Sequence, residues 1–160
     1  MTDSSFDQFE DPLENYDTPA YEDDLERALS EETVLAIQSK PFASVAPDTP
    51  IHVAVEKLAS LGVACLLIEE EGDLVGVFSD RDVLNKVALE YEAIRDRPVS
   101  EVMTVDPIYL YETDSAAAAL SVMAVSGYRH VPMLDVDDKL AGIISPQRVT
   151  AFLQEHYDTE

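Results

Sequence analysis

From residue 33 onward the apolar positions fall into two rhythms that take turns along the chain. Ile51, Ala54, Val55 and Leu58 recur at helical spacing, and Gly62 stands where such a helix stops. Asp48 is a suitable N-cap for that helix, with Pro50 in its first turn. The period then changes. "ACLLIE" is an unbroken apolar run of the kind found in buried strands, "EGD" is a turn, and "LVGVFS" is a second strand. A helix follows from about Asp80, predicted to turn Val83, Leu84, Val87 and Ala88 inward.

The same order of elements returns 66 residues later. Pro41 falls on Pro107, Asp48 on Asp114, Leu74 on Leu140, Gly76 on Gly142, Ser79 on Ser145 and Val83 on Val149. Asp114 precedes an alanine-rich helix ending near Gly127, after which come "HVPMLD", a turn at "VDDK", "LAGIIS" and a closing helix. Ser145-Pro146 gives that last helix an N-cap followed by proline at its first position. "EVMTV" ends the connection between the copies in a short strand, and "TVLAIQS" (33–39) holds the matching place before the first copy. Each copy therefore reads β-α-β-β-α. One such unit buries too little surface to be secure alone. The predicted class is α+β, with two β-α-β-β-α units packed through their sheets around a pseudo-twofold axis. The expected boundaries are an acidic arm over 1–32, a first unit over 33–92, a link over 93–98 and a second unit over 99–156.

Charge changes this picture at the front of the chain. The 160 residues carry 33 acids against 10 bases, a net charge of −23. Twelve of those acids lie in residues 1–32, beside the single base Arg27. A segment so poor in aliphatic residues cannot offset its ordering entropy, so most of the arm is expected to be disordered, with "LERALSEETVLAIQ" carrying a short helix into the folded part. The arm reads either as a solubilising extension or as a docking segment for a basic partner. The acidic field repels nucleic acids and anionic membranes, yet leaves room for a small anion in a local basic pocket. No apolar run approaches the ~20 residues of a membrane helix. The start of the chain has neither the basic nor the apolar region of a signal peptide. With one cysteine, Cys65, in a strand-like run, the expectation is a soluble, cytoplasmic protein.

Candidate chemistry concentrates where the copies diverge. "GVFSDRDVL" and "GIISPQRVT" are the same strand-to-helix turn, but Asp82 in the first is Arg148 in the second. Ser79 with Asp82 has the spacing of a helix N-cap answered by an acid three residues on, and capping alone accounts for both. Arg148 has donors only, so its position suits phosphate, an acidic neighbour or plain solvent. "YRH" (Tyr128, Arg129, His130) is the other local cluster, and Gly62, Val63 and Ala64 answer it without charge. His52, His130 and His156 show no metal-site spacing with Cys65, and no nucleophile elbow, P-loop or dinucleotide fingerprint occurs. No enzymatic activity is expected.

These residues resemble a tandem pair of CBS domains, a Bateman module. The resemblance rests on "EVMTVDP" before the second unit, "GYRHVPMLD" at its first sheet strand, and the two glycine–apolar–apolar–serine turns. It covers roughly residues 33–156. Such proteins generally sense adenine nucleotides or related adenosyl ligands in clefts between the units, regulate a partner, and commonly dimerise through their helices. The family's ribose pattern is glycine, two residues, serine or threonine, two residues and aspartate. The resemblance thus implies nucleotide binding by Gly76, Ser79 and Asp82, with Tyr128 near the base and Arg129 or His130 at phosphate. It implies AMP, ADP, ATP or S-adenosylmethionine as ligand, no required cofactor, a homodimer and a regulated protein partner. At Ser145 and Arg148 the pattern is broken, so one nucleotide per chain is expected. The alternative is a ligand-free dimeric scaffold whose arm or helix faces bind a protein.

Overall fold

The computed structural model describes residues 19–39 and 42–157. In chain order it contains α1 (Asp24–Glu31), β1 (Gln38–Ser39), β2 (Ser44–Val45), α2 (Ile51–Leu61), β3 (Cys65–Glu70), β4 (Asp73–Ser79) and α3 (Asp80–Asp82), which continues as a π-helical turn over Val83–Val87. Then come α4 (Tyr91–Ile94), β5 (Thr104–Val105), β6 (Leu110–Tyr111), α5 (Ala116–Ser126), β7 (Val131–Leu134), β8 (Leu140–Ile144) and α6 (Pro146–His156). No helix among the described residues is long and apolar enough to cross a membrane.

Alternation along β3 explains the layering. Leu66 and Ile68 face a core shared with Ile51, Ala54, Leu58 and Phe78, whereas Cys65 and Leu67 face Val77 and Ile143. A strand covered on both faces needs an unbroken apolar run, and this one has it. The second face is where the sheets meet, with Phe42, Leu74 and Leu140 around it. A third core joins α1, α5 and α6 through Ala28, Ala116, Ala119 and Phe152 to Val131, Met133 and Ile144.

The sheets are ordered β2-β3-β4-β5 and β6-β7-β8-β1. In both the first pair is parallel and the next two antiparallel, as a twofold relation requires. The copies also exchange an edge strand. β1, which precedes the first unit, pairs with β8 of the second, and β5, at the entry to the second unit, pairs with β4 of the first. Separating the units would therefore leave each with an unpaired edge.

Several local expectations hold. Gly62 ends α2 and Gly127 ends α5, both in the left-handed region at φ 62° and 69°. Ser79 caps α3 in a complete capping box with Asp82. Others are corrected. Asp48 does not cap α2; the residue before the helix is Pro50, which has no side-chain hydrogen bond to give. In the second unit Ser115 caps α5, and Asp114, which precedes the helix as expected, accepts from the Tyr111 amide at 2.7 Å. Ser145 precedes α6 as expected, but its side chain makes no capping bond. Beyond Asp82 the expected inward face is half right. Val87 is buried, but Leu84 is 71 % exposed and Ala88 is exposed. The π turn over Val83–Val87 takes an extra residue per turn, which shifts the phase of every position after Asp82. At the end of the arm, α1 is the short helix expected to lead into the folded part, and it buries Ala28 in the second unit's core. The rest of the expected disordered arm, residues 1–18, lies outside the described residues.

Candidate functional site

Two adjoining clefts open between the units. The first, of about 260 Å³, is lined by the β4–α3 turn (Ser79, Asp80, Arg81, Asp82), by Thr104 of β5, and by the α5–β7 connection at Tyr128, Arg129 and His130. The second, of about 350 Å³, is lined by Ser145, Gln147 and Arg148 at the start of α6 and by Gly62, Val63 and Ala64 after α2. Ala64, Cys65 and His130 line both. His130 and Ala64 are counterparts at the 66-residue offset, so the clefts meet where the copies face each other.

The first cleft brings together five of the six residues singled out from sequence: Ser79, Asp82, Tyr128, Arg129 and His130. Gly76 is not among its lining. It lies one layer back in β4, opposite Val105 of β5. A Cβ there would fall 2.6 Å from Met103 Sδ and 3.0 Å from the Thr104 carbonyl oxygen. The glycine lets β5 close on β4, and so positions Thr104 at the cleft.

Asp82 is 5 % exposed, the one buried charged residue among those described. Oδ2 accepts from the Ser79 amide and the Ser79 hydroxyl, each at 2.9 Å. Oδ1 accepts from Thr104 Oγ1 at 2.9 Å and pairs with Lys86 Nζ at 2.7 Å. Burial alone would raise this carboxyl; the bonds from Lys86, Ser79 and Thr104 outweigh it and hold Asp82 below its usual range. A carboxylate has about four acceptor positions, and these four donors fill them. Lys86 also donates to the Val102 carbonyl at 3.0 Å and to the Met103 carbonyl at 3.3 Å. The Asp82 carboxylate is thus tied to the segment that leads into β5.

Lys86 and Thr104 escaped the sequence reading for different reasons. Lys86 lies four residues after Asp82, a legible helical ion-pair spacing. Thr104 lies 22 residues away and reaches the site only through the exchanged strand.

The surrounding charges are unevenly satisfied. Arg27, Arg95, Arg97, Lys86 and Lys139 have acidic partners, and Lys57 donates to the Ser44 carbonyl. Among the described residues, the guanidinium groups of Arg81, Arg129 and Arg148 have neither ion pair nor hydrogen bond, and all three line the clefts. Burial, then the neighbouring Arg129 charge, hold His130 below 6.5 against an opposing pull from Asp80. Cys65 is pushed up to about 12, first by burial and then by Asp82 and Asp80, so its thiol stays protonated. Tyr128 packs partly against the second unit's core as well as lining the cleft.

Two copies of a β-α-β-β-α unit, joined sheet to sheet with an exchanged strand and a pair of central clefts, define a tandem-domain module. A sequence profile of the CBS domain matches residues 34–89 and again 99–155. The chain belongs to the CBS-domain family and carries two copies of the domain. The CBS domain-containing protein CBSCBSPB1 of Arabidopsis thaliana is 28 % identical over 112 residues, covering 69 % of this chain and 21 % of that protein. This chain thus spans about a fifth of the length of such curated relatives. Arabidopsis CBSX2, whose structure was solved in complex with AMP, superposes with a TM-score of 0.69 at 25 % identity, over 78 % of this chain and 97 % of that one. The CBS domain pair of protein MJ0100, solved with 5′-methylthioadenosine and S-adenosyl-L-methionine, shares the fold at a TM-score of 0.67 and 23 % identity, over 76 % of this chain and 98 % of that one.

Proposed function

We propose that this chain is a regulatory sensor that binds an adenine nucleotide or adenosyl ligand in its first cleft, one per chain. The observation that carries the reading is the placement of the unpaired arginines. In a chain of net charge −23, basic side chains find acids easily, yet Arg81 and Arg129 stand without partners among the described residues around the cleft that holds Asp82. Unpaired donors beside a carboxylate suit a ligand with an anionic end and a hydroxyl-bearing middle. Asp82 and Ser79 would take the ribose, Tyr128 the base, and Arg129 the phosphate, with neutral His130 beside it. Gly76 serves the same site indirectly, by letting β5 carry Thr104 to it. The AMP bound by CBSX2 supports this class of ligand.

Ribose hydroxyls reach Asp82 only by displacing a present donor. Lys86 is the one that solvent can take back, since its side chain is 41 % exposed. Nucleotide binding would free Lys86 from Asp82 and loosen its hold on Val102 and Met103, the approach to β5. A change at one cleft would then reach the strand that links the units, and a regulated partner would read it through its different affinity for the two states.

Thermal unfolding with AMP, ADP, ATP and S-adenosylmethionine tests the reading. At least one should raise the midpoint in the wild type and not in Asp82→Ala, with a calorimetric stoichiometry of one. No response to any of the four, or an undiminished one in the variant, would refute the ribose assignment. The rival, a ligand-free dimeric scaffold, draws on apolar side chains left in solvent: Leu84 at 71 %, Leu89 at 98 % and Val125 at 89 %. It predicts a stable dimer by light scattering, weakened in Leu84→Glu/Leu89→Glu, with no nucleotide response.

A further inference from the structure

A cavity of about 770 Å³, larger than either central cleft, lies apart from them. It lies between the units, walled by Leu74 and Val75 of β4, by the Asp106-Pro107 turn and β6, and by Leu134 with Asp138 of the β7–β8 hairpin. Its polar lining has one character. Asp106 and Asp138 supply carboxylates, Tyr109 and Tyr111 supply aromatic rings, and no basic residue contributes among the described residues.

The rings are fixed relative to one another. Tyr109 and Tyr111 meet edge to face, with centroids 5.6 Å apart and planes at 89°. Tyr111 donates its hydroxyl to Asp138 Oδ1 at 2.6 Å, which ties the ring to one carboxylate. Lys139, the basic residue next to Asp138, is turned to other work: its ammonium pairs with Asp73 at 2.6 Å and donates to the Glu71 carbonyl at 3.4 Å. Asp138 keeps its second oxygen, and Asp106 makes no hydrogen bond or ion pair among the described residues.

The twofold relation supplies an internal control. At the 66-residue offset, Tyr109 and Tyr111 are answered by Ala43 and Val45, Asp138 by Gly72, and Asp106 by Lys40. The strand pairings keep that offset, since Ser44 and Val45 face Leu67 and Ile68 as Leu110 and Tyr111 face Met133 and Leu134. Ala43 and Val45 meet the fold and packing at the places of Tyr109 and Tyr111, so packing does not call for rings there, while Asp106 and Asp138 stand in left-handed turns at φ 48° and 62° that suit aspartate. Two aromatic faces at a fixed angle with two carboxylates are the combination that binds an organic cation: the rings attract it through their quadrupoles, and the acids neutralise it.

We infer that this cavity is a second ligand site, which takes the ammonium head of a small organic cation between Tyr109, Tyr111, Asp106 and Asp138. The cation is a free quaternary amine or the ammonium of a lysine side chain, which share the chemistry. It is independent of the central clefts, which are lined by other residues.

A general attraction of cations to an acidic protein must be separated from this. Titrations of the full chain with choline, with N-acetyl-lysine methylamide and with the neutral choline isostere 3,3-dimethylbutanol are read by the aromatic NMR signals of Tyr109 and Tyr111. They are run at roughly 0.15 M salt, where exposed charges are screened beyond about 8 Å. One of the two cations should shift both rings saturably, and which one does so tells a free amine from a lysine side chain. The isostere should not. Tyr109→Ala and Asp138→Asn should each weaken binding roughly fivefold to tenfold, while Tyr109→Phe, which keeps the ring, retains it. Both positions are exposed, and unchanged melting temperatures will verify that the variants fold. Shifts that do not saturate, equal shifts with the isostere, or equal affinity in Tyr109→Ala would overturn the site. The AMP response should be the same in all these variants, so a failure here is distinct from a failure at the first cleft.

Discussion

The two central clefts begin with the same turn and end with opposite chemistry. In the first, Ser79 and Asp82 bond each other in a complete capping box, and Thr104 and Lys86 fill the remaining acceptor positions of Asp82. In the second, Ser145 makes no side-chain cap, proline takes the first helical position, and Arg148 stands where the acid was. The partner changes too. At the same offset Lys86 is answered by Phe152, which is buried in the second unit's core with its ring 4.6 Å from that of His156. One copy of the helix was fitted to hold a buried carboxylate and the other to fill an apolar core. The difference between them is a network of four residues, not a single substitution.

The largest effect is expected where that network is cut. Asp82→Ala removes the acceptor for four donors, two of them on Ser79, and leaves Lys86 with the Val102 and Met103 carbonyls and a long contact to the Thr104 hydroxyl. We expect a loss of about 2–4 kcal/mol in unfolding free energy by chemical denaturation, together with loss of the nucleotide response. The same residue shapes the acid limb. Since the folded Asp82 carboxyl titrates below its unfolded value of 3.8, its contribution is complete above that value and fades as pH falls through the lower, folded one. The variant should therefore show a flatter decline below about pH 4. A stability equal to wild type would mean that the clefts differ less than their geometry implies.

Next in size is the support behind the first turn. Gly76→Ala sets a Cβ against Met103 Sδ and the Thr104 carbonyl, and the carbonyl cannot move without moving β5. Overpacking of this kind costs about 1–3 kcal/mol. Adding Met103→Ala should recover part of the loss but not all, because the backbone contact remains. Full recovery would show that β5 is free to shift, and would weaken the argument that Gly76 positions Thr104.

How much of this was legible in the sequence depends on how local each feature is. The apolar run at Cys65–Ile68, the stop at Gly62 and the cap at Ser79 are set by a few adjacent residues, and each stands where its pattern predicts. The exchange of β1 and β5 left no trace, because a two-residue strand has no period and its partner lies in the other copy. The outward turn of Leu84 and Ala88 was hidden by the π turn, which changes the phase while leaving the composition helical. At the site, Ser79 and Asp82 could be found by spacing. Thr104 could not, and the cavity at Tyr109 and Tyr111 escaped because its walls come from three separated segments.

A smaller effect tests the residue the clefts share. His130 is held below 6.5, so the unfolded chain takes up a proton first as pH falls. Its contribution to stability is therefore complete above the unfolded value of 6.5 and fades as pH falls through the lower, folded one. His130→Gln should flatten that part of the stability profile. Since Ala64 is the counterpart, the decline has no second source at the matching position of the other copy. An unchanged slope in the variant would assign the pH response elsewhere.

The smallest expected effect is also the sharpest test of inequivalence. Arg148 is exposed and bonds to nothing among the described residues, so Arg148→Ala should change stability by less than about 0.5 kcal/mol. If the nucleotide occupies the first cleft alone, its affinity in this variant should stay within about twofold of wild type and its stoichiometry at one, because a guanidinium in the second cleft acts on the first only through screened long-range attraction. Arg129→Ala, at the first cleft, should weaken a phosphorylated ligand about tenfold and leave adenosine nearly unaffected, the size expected for one charge-assisted contact. Calorimetry on the two single variants and their double keeps the clefts apart. Equal losses at Arg129 and Arg148 would mean that one anion spans both, and the clefts would then be two halves of one site.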